Sequence, residues 1–115
     1  MGDKPYDVEE RLIEFAAHVI TEFNFPLKNY ASKYYAEQLI RSSGSAELNY
    51  GEFVGVFSIK DRTNKLRIPF KEMKECHNNL RIQSKAALLK SNQEILIDEA
   101  LQLCKILSTI IKNLK

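Results

Sequence analysis

The chain has 115 residues and a mass of 13.3 kDa, with 44% hydrophobic and 28% charged residues, 4 Gly and 3 Pro. That is enough for one core and too little for two ordinary ones, and it excludes collagen, a disulfide scaffold, a repeat array and a two-domain enzyme. The net charge of +2 hides an asymmetry: residues 1–27 hold 6 acids against 2 bases, whereas residues 60–90 hold 9 bases against 3 acids.

The first predicted helix runs from about Asp7 to Phe23. Asp7 can cap it, with Glu10 three residues on. Val8, Leu12, Phe15, Ala16, Val19, Ile20 and Phe23 recur at helical spacing. Asn24-Phe25-Pro26 ends it, because proline lacks the N–H and disfavours helix in the residue before it. The second helix is expected over about 29–57, on the stripe Ala36, Leu39, Ile40, Ser43, Ala46, Tyr50, Phe53 and Phe57. Ser42-Ser43-Gly44-Ser45 is a weak helix former, so a bend or a close helix contact is expected there.

Ser58 with Asp61 three on is the next start signal. The third helix spans about 59–86, with Ile59, Leu66, Phe70, Met73, His77 and Leu80 along one face. Pro69 should kink it near Leu66, and a split into two helices is the competing reading. Ser91-Asn92 reads as a connector, and the fourth helix covers about 93–113. From Ile95 to Leu114, 12 of 20 residues are apolar, more than one stripe, so a second buried side and a homo-oligomer are expected. The whole is one all-α domain of four helices over 1–115.

The N-terminus has no basic stretch followed by an apolar run, and no apolar run approaches the roughly 20 residues that span a bilayer. Cys76 and Cys104 fall within helical segments without ligand spacing, which predicts buried thiols in a reducing compartment. A cytoplasmic protein without membrane contact is the expectation. There is no phosphate loop, HExxH, GxSxG or zinc spacing, so no catalytic residue, cofactor or metal is expected. Glu14, His18 and Glu22 share a face, but at a spacing unlike the paired Glu-x-x-His of di-iron bundles, so a solvated face is the favoured reading.

Two polar sets stand out. On the second helix Gln38, Arg41, Ser45, Asn49 and Glu52 cluster opposite the apolar stripe, as a solvated face or a polar subunit seam. On the third, Lys60, Arg67, Lys71, Lys74, Arg81 and Lys85 step by 7, 4, 3, 7 and 4 residues. All six fall within about 80° of an ideal helix. Such a stripe serves solubility or neutralises a run of phosphates. Clustered aromatics are missing from this helix, which speaks against single-strand base stacking.

Three stretches carry a resemblance. QLIRSSGSAELNYGE (Gln38 to Glu52), SIKDRTNKLRIPFKEMKECHNNLRI (Ser58 to Ile82) and LCKILSTIIKNLK (Leu103 to Lys115) resemble the blocks of one bacterial family. It is the four-helix-bundle group first noticed as reading frames in intervening sequences of 23S ribosomal RNA, carrying a ribosomal-protein-like label. Pro69, Gly44 and Asn78-Asn79, which stands where the family commonly has Tyr-Trp, depart from its pattern. The resemblance implies a left-handed up-down-up-down bundle and a ring-like homo-oligomer, with a pentamer as the expected state. It brings no established activity. A similar bundle serves diversity-generating retroelements as a nucleic-acid and reverse-transcriptase-binding accessory protein. The expected role is therefore a non-enzymatic adaptor contacting structured RNA or a ribosome-associated partner through the basic stripe. The alternative is a protein-interaction scaffold without a nucleic-acid role, using the second helix's polar set and the acidic first helix.

Overall fold

The computed structural model describes residues 5–24, 26–27, 29–55 and 58–114. Four helices follow in order: α1 (Pro5–Phe23), α2 (Tyr30–Val54), α3 (Ile59–Lys85) and α4 (Ser91–Asn113). Each packs on its chain neighbours, and α4 returns to α1 to close the ring. The cross-links run in antiparallel register. Arg41 and Glu52 of α2 meet Glu75 and Lys65 of α3, and Ser84 of α3 meets Glu94 of α4. Arg11 and Glu22 of α1 meet Gln102 and Asn92 of α4. The molecule is thus an up-down-up-down four-helix bundle, 46 × 24 × 20 Å.

Apolar stripes at three- and four-residue steps build the core. Val8, Leu12, Phe15 and Val19 from α1 meet Leu39, Ala46, Tyr50 and Phe53 from α2. Leu66, Met73, Cys76 and Leu80 from α3 meet Leu96, Ala100, Leu103 and Leu107 from α4. Most are fully buried, and truncating such a leucine costs about 2–5 kcal/mol. The fourth helix's broad apolar surface is spent largely inside the chain. Because α4 lies between α1 and α3, Ile97, Ile106, Ile110 and Ile111 flank the core on both sides, half-buried.

Several sequence expectations are corrected. The first helix begins at Pro5 rather than Asp7; a proline fits there because first-turn N–H groups lack helical partners anyway. The cap expected from Asp7, the stripe positions Phe57 and Ile59, and Phe25 of the stop signal lie outside the described side chains. Ile20 is exposed, because seven residues from Ile13 it continues an outer line of α1. The second helix ends at Val54, with Asn29 as its N-cap, its side chain accepting from the Ser32 N–H at 3.1 Å. Ser58 caps α3 as expected, accepting from the Asp61 N–H at 3.3 Å. Pro69 neither splits nor ends α3, since Leu66 and Met73 on either side of it sink into the same core. At Gly44 no close helix contact occurs, as an added Cβ would meet nothing within 4 Å; Ser42 and Ser43 are the buried small residues.

The last connector is residues 86–90, and Ser91-Asn92 already belong to α4. Here α3 stops in a Schellman arrangement. The Leu88 N–H donates to the Gln83 carbonyl at 2.8 Å, and the Ala87 N–H to that of Ser84 at 3.0 Å. This places Ala87 at φ 59°, the left-handed region that a Cβ disfavours by about 1–2 kcal/mol. Ala87→Gly should therefore raise the free energy of unfolding by about 1 kcal/mol, read from urea melts.

Candidate nucleic-acid interface

The cations of α3 divide according to their position around the helix. Those turned towards α2 are used within the chain. The Lys65 Nζ lies 3.1 Å from Glu52 Oε1, and the Arg62 guanidinium stands 5.3 Å from the centre of the Phe53 ring. The six on the opposite side, Lys60, Arg67, Lys71, Lys74, Arg81 and Lys85, are all exposed. Among the described residues none of these six makes an ion pair. Lys74 has an aromatic neighbour, its Nζ lying 5.5 Å from the centre of the Phe70 ring. At 1.5 Å per residue, Lys60 to Lys85 spans about 38 Å. Charges so spaced, without internal partners, can neutralise a run of phosphates and release their counterions.

Of the three acids of this helix, Asp61 is exposed in the first turn, whereas Glu72 and Glu75 are turned away from the stripe and held by α2. Arg41 Nη1 lies 3.6 Å from Glu72 Oε1, and Arg41 Nη2 lies 3.3 Å from Glu75 Oε1. Ser45 Oγ donates to Glu72 Oε2 at 3.1 Å, and Asn49 Nδ2 donates to the Ser45 carbonyl at 2.8 Å. Gln38 Oε1 accepts from Arg41 Nε at 3.3 Å, and Glu52 pairs with Lys65. The polar set of the second helix is therefore an α2–α3 seam inside one chain. Its consequence for α3 is electrostatic: the two carboxylates in the middle of the helix are paired on the α2 side, and Asp61 in the first turn is the acid left exposed.

The Glu14, His18, Glu22 face lies against α4. His18 Nδ1 is 3.4 Å from Glu99 Oε1, and Nε2 is 3.9 Å from Glu22 Oε2. Among the described residues no three ligating side chains converge as a metal site. No helix among them is long and apolar enough to cross a membrane. Cys76 and Cys104 are free and buried.

Spacing along one helix could not show what lies between helices. Phe70 and His77, expected in the core, stand half-buried at the α3–α4 edge, where Lys105 and Ser108 of α4 join them around a groove. Burial and the Arg81 charge hold the His77 pKa below its ordinary value, which favours the neutral ring. Asn79 is buried, its Nδ2 donating at 2.9 Å to the Tyr35 carbonyl of α2 and its Oδ1 accepting from Gln83 Nε2 at 2.7 Å. This gives a structural reason for an amide at that position.

Fold and surface together define an all-α four-helix-bundle protein with a cationic face on α3 that forms no ion pair among the described residues. The chain is similar to a crystal structure from Bacteroides thetaiotaomicron, described as a protein of unknown function from the S23 ribosomal protein family. The two share 26% sequence identity and superpose with a TM-score of 0.81 over 96% of this chain and 100% of that one. No protein-family pattern and no curated protein matches the chain.

Proposed function

We propose that this protein is a non-enzymatic, cytoplasmic, homo-oligomeric adaptor of the 23S intervening-sequence type, and that it binds structured RNA through the exposed face of α3. The observation that carries this reading is the partition of the α3 charges. Two cations and two carboxylates are engaged with α2, while six exposed cations make no ion pair among the described residues and Asp61 is the single acid left exposed on the helix. A face kept only for solubility gains from mixed signs. A single-sign stripe about 38 Å long suits a polyanion. Likeness to a protein of unknown function from the S23 ribosomal protein family favours ribosomal RNA as the polyanion.

Assembly into a ring, with a pentamer as the expected state, would repeat the stripe and raise avidity. Ile13, Ile20 and Leu48 are exposed aliphatics that subunit contacts would cover. Sedimentation equilibrium should then give a mass near five times 13.3 kDa.

The test is equilibrium binding to a structured ribosomal-RNA hairpin across a salt series, with a DNA duplex as comparison. Micromolar or tighter RNA binding is expected, with log K falling by about 0.7–0.9 per neutralised phosphate for each decade of salt. Equal affinity for the DNA would reduce the stripe to generic electrostatics. No binding at low salt would overturn the reading and turn attention to a protein partner.

A further inference from the structure

The groove between α3 and α4 has a volume of about 220 Å³. Phe70, Leu101 and Cys104 give it an apolar lining, and Lys74 and Lys105 bring a cation from each of the two helices. Asn78 and Ser108 add a side-chain amide and a hydroxyl, each able both to donate and to accept. We propose that this groove receives one unpaired base of a structured RNA, with the neighbouring phosphates on Lys74 and Lys105. The proposal rests on the RNA-binding reading and gives it a recognition element.

Three observations carry it. The first is continuity: Lys74 belongs both to the stripe and to the groove, so a backbone tracking the stripe passes the opening. The second is size. The groove is smaller than the roughly 300–1,000 Å³ of pockets for drug-sized ligands, which suits one planar ring system. The third is chemistry. An extruded base needs an apolar or aromatic surface for its face, donors and acceptors for its edge, and cations for its phosphates. A purely aliphatic guest would leave the amide, the hydroxyl and both ammonium groups without a counterpart. His77, two helical turns from Phe70, is a second ring in the lining of the groove.

The test compares two hairpins of one sequence, one fully paired and one carrying a single-nucleotide bulge. The wild-type protein should bind the bulged hairpin about tenfold more tightly. Ser108→Phe fills the groove, and Lys105→Glu repels the phosphate without touching the core. Each should bring the bulged hairpin down to the affinity of the paired one, with the thermal unfolding of the protein unchanged. Phe70 packs against the core and is left intact. Equal binding of both hairpins by the wild-type protein overturns the base site and leaves the RNA reading standing. A preference for the bulge that survives in both variants also overturns it. Failure of both hairpins to bind removes the RNA reading and this inference with it.

Discussion

The triple charge reversal R67E/K71E/K74E should lower affinity for structured RNA by about 100-fold or more at physiological salt, because each phosphate that is no longer neutralised keeps its condensed counterions. All three residues are exposed and unpaired among the described residues, so the fold should persist and the circular dichroism should be unchanged. Among the described residues the contact at stake is the Lys74 ammonium over the Phe70 ring, worth about 0.5–1 kcal/mol. Removing one phosphate-binding cation should also reduce the salt slope by about 1. Lys33 is an exposed cation on α2, the helix on the side of α3 away from the stripe, whereas Lys112 continues the α4 line of Lys105 and Ser108 and is no control. The reversal K33E should therefore change affinity far less than any single reversal at Arg67, Lys71 or Lys74. Equal losses from K33E and those single reversals would mean that net charge, not the α3 face, governs binding.

Alkali should destabilise the bundle from about pH 9 upward. Burial pushes the Cys104 thiol up to about 11, with Lys74 opposing in part. Burial, then Glu9, push the Tyr50 phenol up to about 12, with Arg62 opposing. Cys76 is raised further still, by burial first and then by Cys104, Glu72 and Glu75, against the pull of Arg41. All three groups are neutral in the folded state, whereas unfolded they ionise near 9.0 for the thiols and 10.0 for the phenol. Between those values and the folded ones the native state binds more protons than the unfolded chain, so stability falls as pH rises. It is fully present below about pH 9 and declines through pH 11–12. Between pH 8 and pH 10.5 the Cys104 shift alone corresponds to a loss of about 1–2 kcal/mol, since the folded thiol is not fully ionised there and solvent screens it in part. Urea melts at pH 8 and pH 10.5 measure it. The double variant C76A/C104A should be less stable at pH 8, because truncation leaves cavities, yet should lose much less between the two pH values. Parallel losses in wild type and variant would contradict this account.

Most of the fold was legible because each helix repeats its apolar residues at one period, and because Ser58 is a residue type that caps; the Asn29 cap was not read from the sequence. The start of α4 was less so. Its first turn is tied by the Gln93 side chain accepting from the Lys90 N–H at 2.8 Å, and Lys90 is not a residue type that announces a cap. The left-handed Ala87 was hidden because glycine ordinarily marks that position.

The candidate face was legible because its six cations sit on a single helix, where angular position follows from spacing alone. The seam and the groove were not. Whether Arg41 meets solvent, another subunit or Glu72 depends on how α2 is rotated against α3, which core packing settles. Phe70 and Ser108 are 38 residues apart and meet only through the α3–α4 register. An apolar stripe likewise cannot show which of its members sit at the edge, and Phe70 and His77 were such cases.

The most direct measurement is a titration of the ¹⁵N-labelled protein with a structured ribosomal-RNA hairpin, followed by amide chemical shifts. Shifts concentrated at Lys60, Arg67, Lys71, Lys74, Arg81 and Lys85 and their helical neighbours, with α1 undisturbed, are the predicted result. Shifts confined to α1 and α2, or none at all, would contradict the claim that α3 presents this protein's RNA-binding face.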